Sequence, residues 1–178
     1  MTSIFIYGDD KDEAFRKLLQ NILSETYRIT YIKNNSVSQW GKGYELLAMD
    51  MPEYEKIEAE NPVILLKKGS VPEKPLPDNG TVIACSENEE QIKALKSCLS
   101  HVITCGFGKT DTFSYSSLSD DRMVVSMNRE VTAFSGKKIQ PLEIPLEIPE
   151  GADIYSVIAF TALRILLDDF NSEIGELI

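Results

Sequence analysis

Residues 4–23 read IFIYGDDKDEAFRKLLQNIL, and this stretch decides the fold class. Ile4-Phe5-Ile6-Tyr7 is a short apolar run stopped by Gly8, the pattern of a strand buried on both faces. Asp9, Asp10 and Asp12 then open a helix, where acidic side chains complement the dipole and accept from free N–H groups. The helix itself shows two apolar rows, Ala14, Leu18, Ile22 and Phe15, Leu19, Leu23. A second strand over 29–33 completes a βαβ opening.

Working outward, 34–43 is polar and reads as a loop. A third strand over 44–49 ends at Asp50, and 52–61 is charged and forms a short helix or a loop. Residues 63–67 form another buried strand. The stretch 69–80 carries Pro72, Pro75 and Pro77 and is a loop; 82–85 is a strand. Ser86 caps a helix over 87–99 with Ile92, Leu95 and Leu99 inward, and a strand follows over 102–105. After Gly106, short alternating segments over 112–119, 122–128 and 131–134 indicate antiparallel hairpins. Residues 139–148 are extended, with Pro141, Pro145 and Pro149 marking an edge strand, and 153–169 is an apolar helix. The expectation is a single α/β domain over 1–178. Residues 1–106 form a mostly parallel P-loop-type sheet flanked by helices, 107–150 a smaller antiparallel hairpin sheet, and 151–178 a closing C-terminal helix and tail.

The 178 residues are 43% hydrophobic, enough for a real core. Eighteen basic against 28 acidic residues give a net charge of -10. That balance argues against nucleic acid, which is held by clustered Lys and Arg, and against anionic membrane surfaces. Cys85, Cys98 and Cys105 are odd in number and form no CxxC pair, so a disulfide framework is not expected and a reducing cytoplasm is. His101, the single histidine, has no nearby cysteine pair with which to build a zinc site. The first residues lack a basic leader, and the apolar run at 157–167 is broken by Arg164 and too short to span a bilayer.

A strand, a glycine turn and a helix are the setting of a phosphate-binding loop. Such a loop needs small residues whose N–H groups face the phosphates, a Lys for the β/γ charge and a Ser or Thr for Mg²⁺. The stretch 4–23 resembles the start of the Mur ligase central domain, where a strand leads into a GTNGKTT loop and a helix with apolar pairs at matching spacing. Those enzymes are ATP-dependent amide-bond-forming ligases of peptidoglycan assembly. Placed without gaps, Gly8 falls on the first Gly, Lys11 on the second Gly, Asp12 on the essential Lys and Glu13 on the Mg²⁺-binding Thr. The resemblance thus implies a phosphate-loop remnant, Gly8, Asp9, Asp10, Lys11, Asp12 and Glu13, with its charge reversed.

The resemblance returns at 101–107, HVITCGF, similar to the family's strand ending in a YGF-like turn, and at 155–160, which looks like the VYNALAA helix start. The family's Gly-x-His-Asn is replaced by Gly151, Ala152, Asp153 and Ile154. Its Asn-x-x-Asp-His-Leu-Asp signature is replaced by Leu66-Lys67-Lys68-Gly69-Ser70. Asp50 falls near the family's metal-binding Glu and is the one candidate metal ligand. The resemblance corresponds to the central domain alone, with both flanking domains absent.

Other patterns have plainer readings. Gly106-Phe107-Gly108-Lys109-Thr110 contains a GKT, but Ile103 stands where a Walker loop needs Gly, and a strand-to-hairpin turn explains it. Asp9, Asp10, Asp12 and Glu13 suit a cation, though helix-capping acids are commoner. Asp120-Asp121 suits a turn and Asp168-Asp169 a helix end. The cysteines sit in apolar segments and suit packing. Trp40 is a covered loop aromatic or an anchor for a partner. Three functional readings stay open: a non-catalytic interaction or regulatory module, a small-ligand binder or enzyme reusing the crevice at the strand C-terminal ends, and a subunit of a split ligase. The first has no catalytic residue and no cofactor; its partner is another protein, not nucleic acid or membrane.

Overall fold

The computed structural model describes residues 2–169, so the tail expected at 170–178 lies outside the described residues. The chain divides into two compact units, Met1–Val102 and Ile103–Ile178.

In the first unit the elements run β1 (Thr2–Tyr7), α1 (Ala14–Asn21), a 3-10 turn (Leu23–Glu25), β2 (Tyr27–Lys33), β3 (Ser36–Trp40), β4 (Tyr44–Met51), β5 (Val63–Leu66), β6 (Thr81–Cys85) and α2 (Glu89–Leu95). The strand order is β6-β5-β1-β4-β2-β3. All neighbours are parallel except the β2–β3 hairpin. β1 is central, which is why its residues are apolar throughout: Ile4 and Ile6 are fully buried, and Phe5 and Tyr7 nearly so. Alternation sends Phe5 and Tyr7 to one face, where they pack with Ile64, Leu66, Val82, Ala84 and Leu95. α1 buries Phe15, Leu18 and Leu19, each contributing about 1.5–3 kcal/mol by burial. The register sets Ile6 opposite Asp50, Asp50 opposite Lys33, and Tyr7 opposite Leu66. The C-terminal ends of four parallel strands therefore lie abreast.

β7 (His101–Cys105) crosses from one unit to the next. The second unit continues with β8 (Phe113–Leu118), β9 (Arg122–Met127), β10 (Val131–Thr132), β11 (Lys138–Ile139), β12 (Leu142–Glu147) and α3 (Ile154–Leu166). β8, β9 and β12 form an antiparallel ladder, with β12 at the edge as its Pro145 requires, and β10–β11 form a separate two-stranded sheet. Asp153 caps α3 by accepting from Ser156 N at 3.0 Å. Arg164, the charge inside this apolar helix, is paired with Asp169 at 2.8 Å. No helix among the described residues is long and apolar enough to cross a membrane.

Local readings are corrected in three places. The polar stretch 34–43 is not a loop: Ser36–Trp40 is an edge strand, reached through a tight turn whose first residue, Asn34, has φ 50°. It looks polar because an edge strand is exposed. α1 starts at Ala14, so Asp9, Asp10 and Asp12 belong to the turn before it. α2 is shorter than 87–99 and is capped by Asn88, not Ser86: Asn88 Oδ1 accepts from Gln91 N at 3.1 Å, which fixes the start, and Leu99 is left 76% exposed.

Candidate functional site

The turn after β1 is held by its own groups. Gly8 N–H donates to Met51 O at 3.2 Å, and Lys11 N–H to Asp9 Oδ1 at 2.9 Å. Asp12 N–H donates to Asp9 O at 3.1 Å, and Ala14 N–H to Asp12 Oδ1 at 3.0 Å. Asp9 and Asp12 thus act as turn-forming Asx residues, which explains acidic short side chains at these positions without any ligand. Gly8 has φ 139°, and a Cβ there would stand 2.8 Å from the Cβ atoms of both Lys67 and Ser70. Only glycine fits.

Beneath the turn lies a buried ionic network. Lys67, the residue after β5, has a side chain 2% exposed, and its ammonium donates to Asp50 Oδ1 at 2.8 Å and to Asp9 O at 2.8 Å. Asp50, on β4, has a side chain 1% exposed, and its other oxygen accepts from Tyr31 Oη at 2.6 Å. Lys33 at the end of β2 lies 3.9 Å from Asp50 Oδ2, donates to Asp10 O at 2.5 Å and forms an ion pair with Glu13. Arg16 Nη1 donates to the other Glu13 oxygen at 3.0 Å, and its guanidinium stands over the rings of Tyr31 and Trp40, 5.9 Å from each centroid. Burial pushes the Tyr31 phenol well above its ordinary range, and its bond to the Asp50 carboxylate adds to this. Burial also pushes the Glu13 carboxyl up, but hydrogen bonds from Lys33 and Arg16 outweigh it and hold the group below the usual value.

A buried amide braces the network from below. Gln91 on α2 is fully buried; its Oε1 accepts from Cys85 N at 2.6 Å, and its Nε2 donates to Lys67 O at 3.1 Å and Ser70 O at 2.6 Å. Ser70 Oγ also donates to Lys67 O, at 2.7 Å. The backbone that carries Lys67 is therefore fixed on both sides.

Of the residues named from the sequence, Asp10, Glu13 and Asp50 each lie within ion-pair distance of Lys33 Nζ, the Asp9 carbonyl accepts from Lys67, Gly8 packs against Lys67 and Ser70, Asp12 Oδ1 accepts from Ala14 N, and Lys11 is exposed on the turn. Sequence reasoning missed Tyr31, Lys33, Lys67 and Gln91. One signal was available: Lys33 ends β2 and Lys67 follows the fully buried β5, where a charge needs a partner. Among the described residues, no group of three or more His, Cys, Asp or Glu side chains is arranged to hold a metal ion. At the second glycine-rich stretch, Gly106 N donates to Phe113 O and Gly108 N to Asp111 Oδ2, which is a turn into β8. Cys85 is buried, and desolvation pushes its thiol up.

No family model matches the sequence, and no curated protein does. Solved structures do match. The chain is similar to the crystal structure of a murein peptide ligase from Psychrobacter arcticus 273-4, with a TM-score of 0.55 and 10% identity, over 92% of this chain and 44% of that one. It is likewise similar to a UDP-N-acetylmuramoyl-L-alanyl-D-glutamate--2,6-diaminopimelate ligase, with a TM-score of 0.55 and 9% identity, over 96% of this chain and 44% of that one. The chain thus has a Mur-ligase-like fold and spans less than half the length of either ligase.

Proposed function

We propose that the chain is a non-catalytic Mur-ligase-like domain, a cytoplasmic interaction or regulatory module whose degenerate phosphate loop is filled by its own side chains. The observation that carries this reading is Lys67. Its ammonium lies buried under the turn and spends its hydrogen bonds on Asp50 and the Asp9 carbonyl. A working loop keeps its N–H groups for the ligand, and Asp12 stands where the ungapped match puts the loop's lysine. Here the N–H groups of Gly8, Lys11, Asp12 and Ala14 already donate within the chain. Occupancy weighs more than repulsion in this reading, because Lys33, Arg16 and Lys67 offset much of the charge of Asp10, Glu13 and Asp50.

The same pairing speaks against a cation or amine in the crevice, since the carboxylates it would need are taken. Titration calorimetry with Mg²⁺-ATP is the test. No heat of binding up to millimolar nucleotide is expected; micromolar binding would overturn the reading.

A further inference from the structure

The sheet face that carries Phe5 and Tyr7 is covered in part by two segments without helix or strand, 52–61 and 69–80. Ile57 belongs to the core cluster of that face, and Tyr54, Ala59 and Leu76 pack against it. Side chains fasten the cover. Tyr7 Oη donates to Val71 O at 3.3 Å, and Ser100 Oγ donates to Pro77 O. The two segments are joined to each other at two places. At one, Tyr54 Oη donates to Lys74 O at 2.6 Å and Glu55 pairs with Lys74 at 3.5 Å. At the other, Asn79 Nδ2 donates to Ala59 O at 3.2 Å.

Asn79 is followed by Gly80, and it is the only asparagine of the chain that precedes a glycine. That pair has its own chemistry. The amide nitrogen of the following residue attacks the asparagine Cγ, and glycine lets it come close because it has no Cβ and a freer backbone. Asn79 is exposed and lies at the end of an irregular loop, where water reaches the side chain. Gly80 is buried, and its surroundings are fixed by Thr81 N–H donating to Pro62 O at 2.9 Å and His101 N–H donating to Gly80 O at 3.0 Å. The reaction is therefore slower in the folded chain than in a free peptide.

We infer that Asn79 is a site of spontaneous covalent modification, and that its conversion releases the clasp between the two covering segments. Gly80 N gives up its proton to hydroxide and bonds to Asn79 Cγ, and Nδ2 leaves as ammonia. Water then opens the five-membered ring at either carbonyl, which leaves aspartate or isoaspartate. Both products replace the amide donor by a carboxylate that faces the Ala59 carbonyl, acceptor against acceptor. The new charge has Asp78 beside it in sequence, and Ala59 lies between Glu58 and Glu60. The basic residues of the two segments, Lys56 and Lys74, are already paired with Glu58 and Glu55. Isoaspartate also lengthens the main chain by one carbon just before Gly80, where an added Cβ would stand 2.9 Å from Pro62 O. The cover over the Phe5 and Tyr7 face thus loosens with the age of the molecule.

The test is to hold the folded wild-type chain in mildly alkaline buffer at body temperature for weeks and follow it by peptide mass mapping and by labelling with an isoaspartate-specific methyltransferase. Asn79 is expected to convert well ahead of Asn34, Asn35, Asn88 and Asn128, and faster once the chain is unfolded in urea. The aged chain and fresh Asn79→Asp should both be cut several-fold faster by thermolysin within 69–80, with unfolding midpoints lowered by about 2–4 °C. Asn79→Gln, which cannot close a five-membered ring, should keep its midpoint and its resistance through the same incubation. An Asn79 that persists in the folded chain overturns the inference, as does conversion no faster than at the other asparagines. Conversion that leaves thermolysin cleavage and the midpoint unchanged overturns the role of the clasp, and so does equal ageing of Asn79→Gln.

Discussion

Lys67 Nζ and Asp50 Oδ1 stand 2.8 Å apart with both side chains all but sealed from solvent, and the third corner of the pair is the carbonyl of Asp9 in the turn after β1. A buried pair of this kind holds geometry better than it adds stability, because desolvating two ions offsets most of their attraction. Its value here is to tie β4, β5 and the turn into one arrangement. Asp50→Ala should destabilise the chain by about 3–5 kcal/mol in urea unfolding, since Lys67 is left as an uncompensated buried charge. Asp50→Ala/Lys67→Met should recover a large part of that loss. A double variant no better than Asp50→Ala would show that the pair is not coupled.

Tyr31 completes the carboxylate. Tyr31→Phe removes one donor from Asp50 and should cost about 1–3 kcal/mol. The raised phenol pKa has a sign: the folded state holds the proton more tightly than the unfolded state, so its contribution is full below the ordinary value of 10.0 and is lost as pH rises beyond it. In an ultraviolet titration Tyr31 should ionise only with alkaline unfolding. Reversible ionisation of every tyrosine in the folded chain would contradict the buried bond.

Glu13 and Lys33 set opposite limits. The Glu13 carboxyl is held below its ordinary 4.5, so its stabilisation is full above that value and fades as pH falls through the folded pKa. Lys33 is held above its ordinary 10.5 by Glu13, Asp50 and Asp10 against the opposing effect of burial, so its contribution is full below that value and fades at higher pH. Unfolding midpoints should be flat across neutral pH and fall at acid pH, and Glu13→Gln should make the acid limb shallower. An unchanged acid limb in that variant would remove Glu13 from the network.

Occupancy of the loop is tested by restoring its chemistry. Lys11→Gly/Asp12→Lys/Glu13→Thr rebuilds the family's residues at the positions of the ungapped match. Nucleotide binding is expected to stay absent, because Lys67 and the internal N–H bonds of Gly8 remain. Micromolar Mg²⁺-ATP binding by this variant would show that the three side chains alone had closed the site.

Gly8→Ala places a Cβ in contact with Lys67 and Ser70 at a φ that side chains rarely adopt. A loss of about 1–3 kcal/mol is expected from overpacking, more with backbone strain. A neutral effect in thermal unfolding would mean the turn is free to move.

Much of the fold was legible because buried parallel strands and amphipathic helices write their period into the chain. Ile4–Tyr7, Val63–Leu66 and the Phe15, Leu18, Leu19 face could be read directly. β3 could not, because an exposed edge strand has the composition of a loop. The α2 start could not, because Ser86 and Asn88 are both good caps and only the observed hydrogen bond chooses between them.

By itself the sequence determined the βαβ opening, the glycine at the end of β1 and the proline-marked edge at β12. These are local facts, set by periodicity and by the φ that one residue type allows. The tertiary structure alone decided that Tyr31, Lys33, Asp50, Lys67 and Gln91 meet. They come from three strand ends, a strand middle and a helix, and only parallel register brings residues so far apart in sequence to hydrogen-bonding distance. A charge at a strand end announces that it needs a partner; which partner it finds is fixed by how the strands line up.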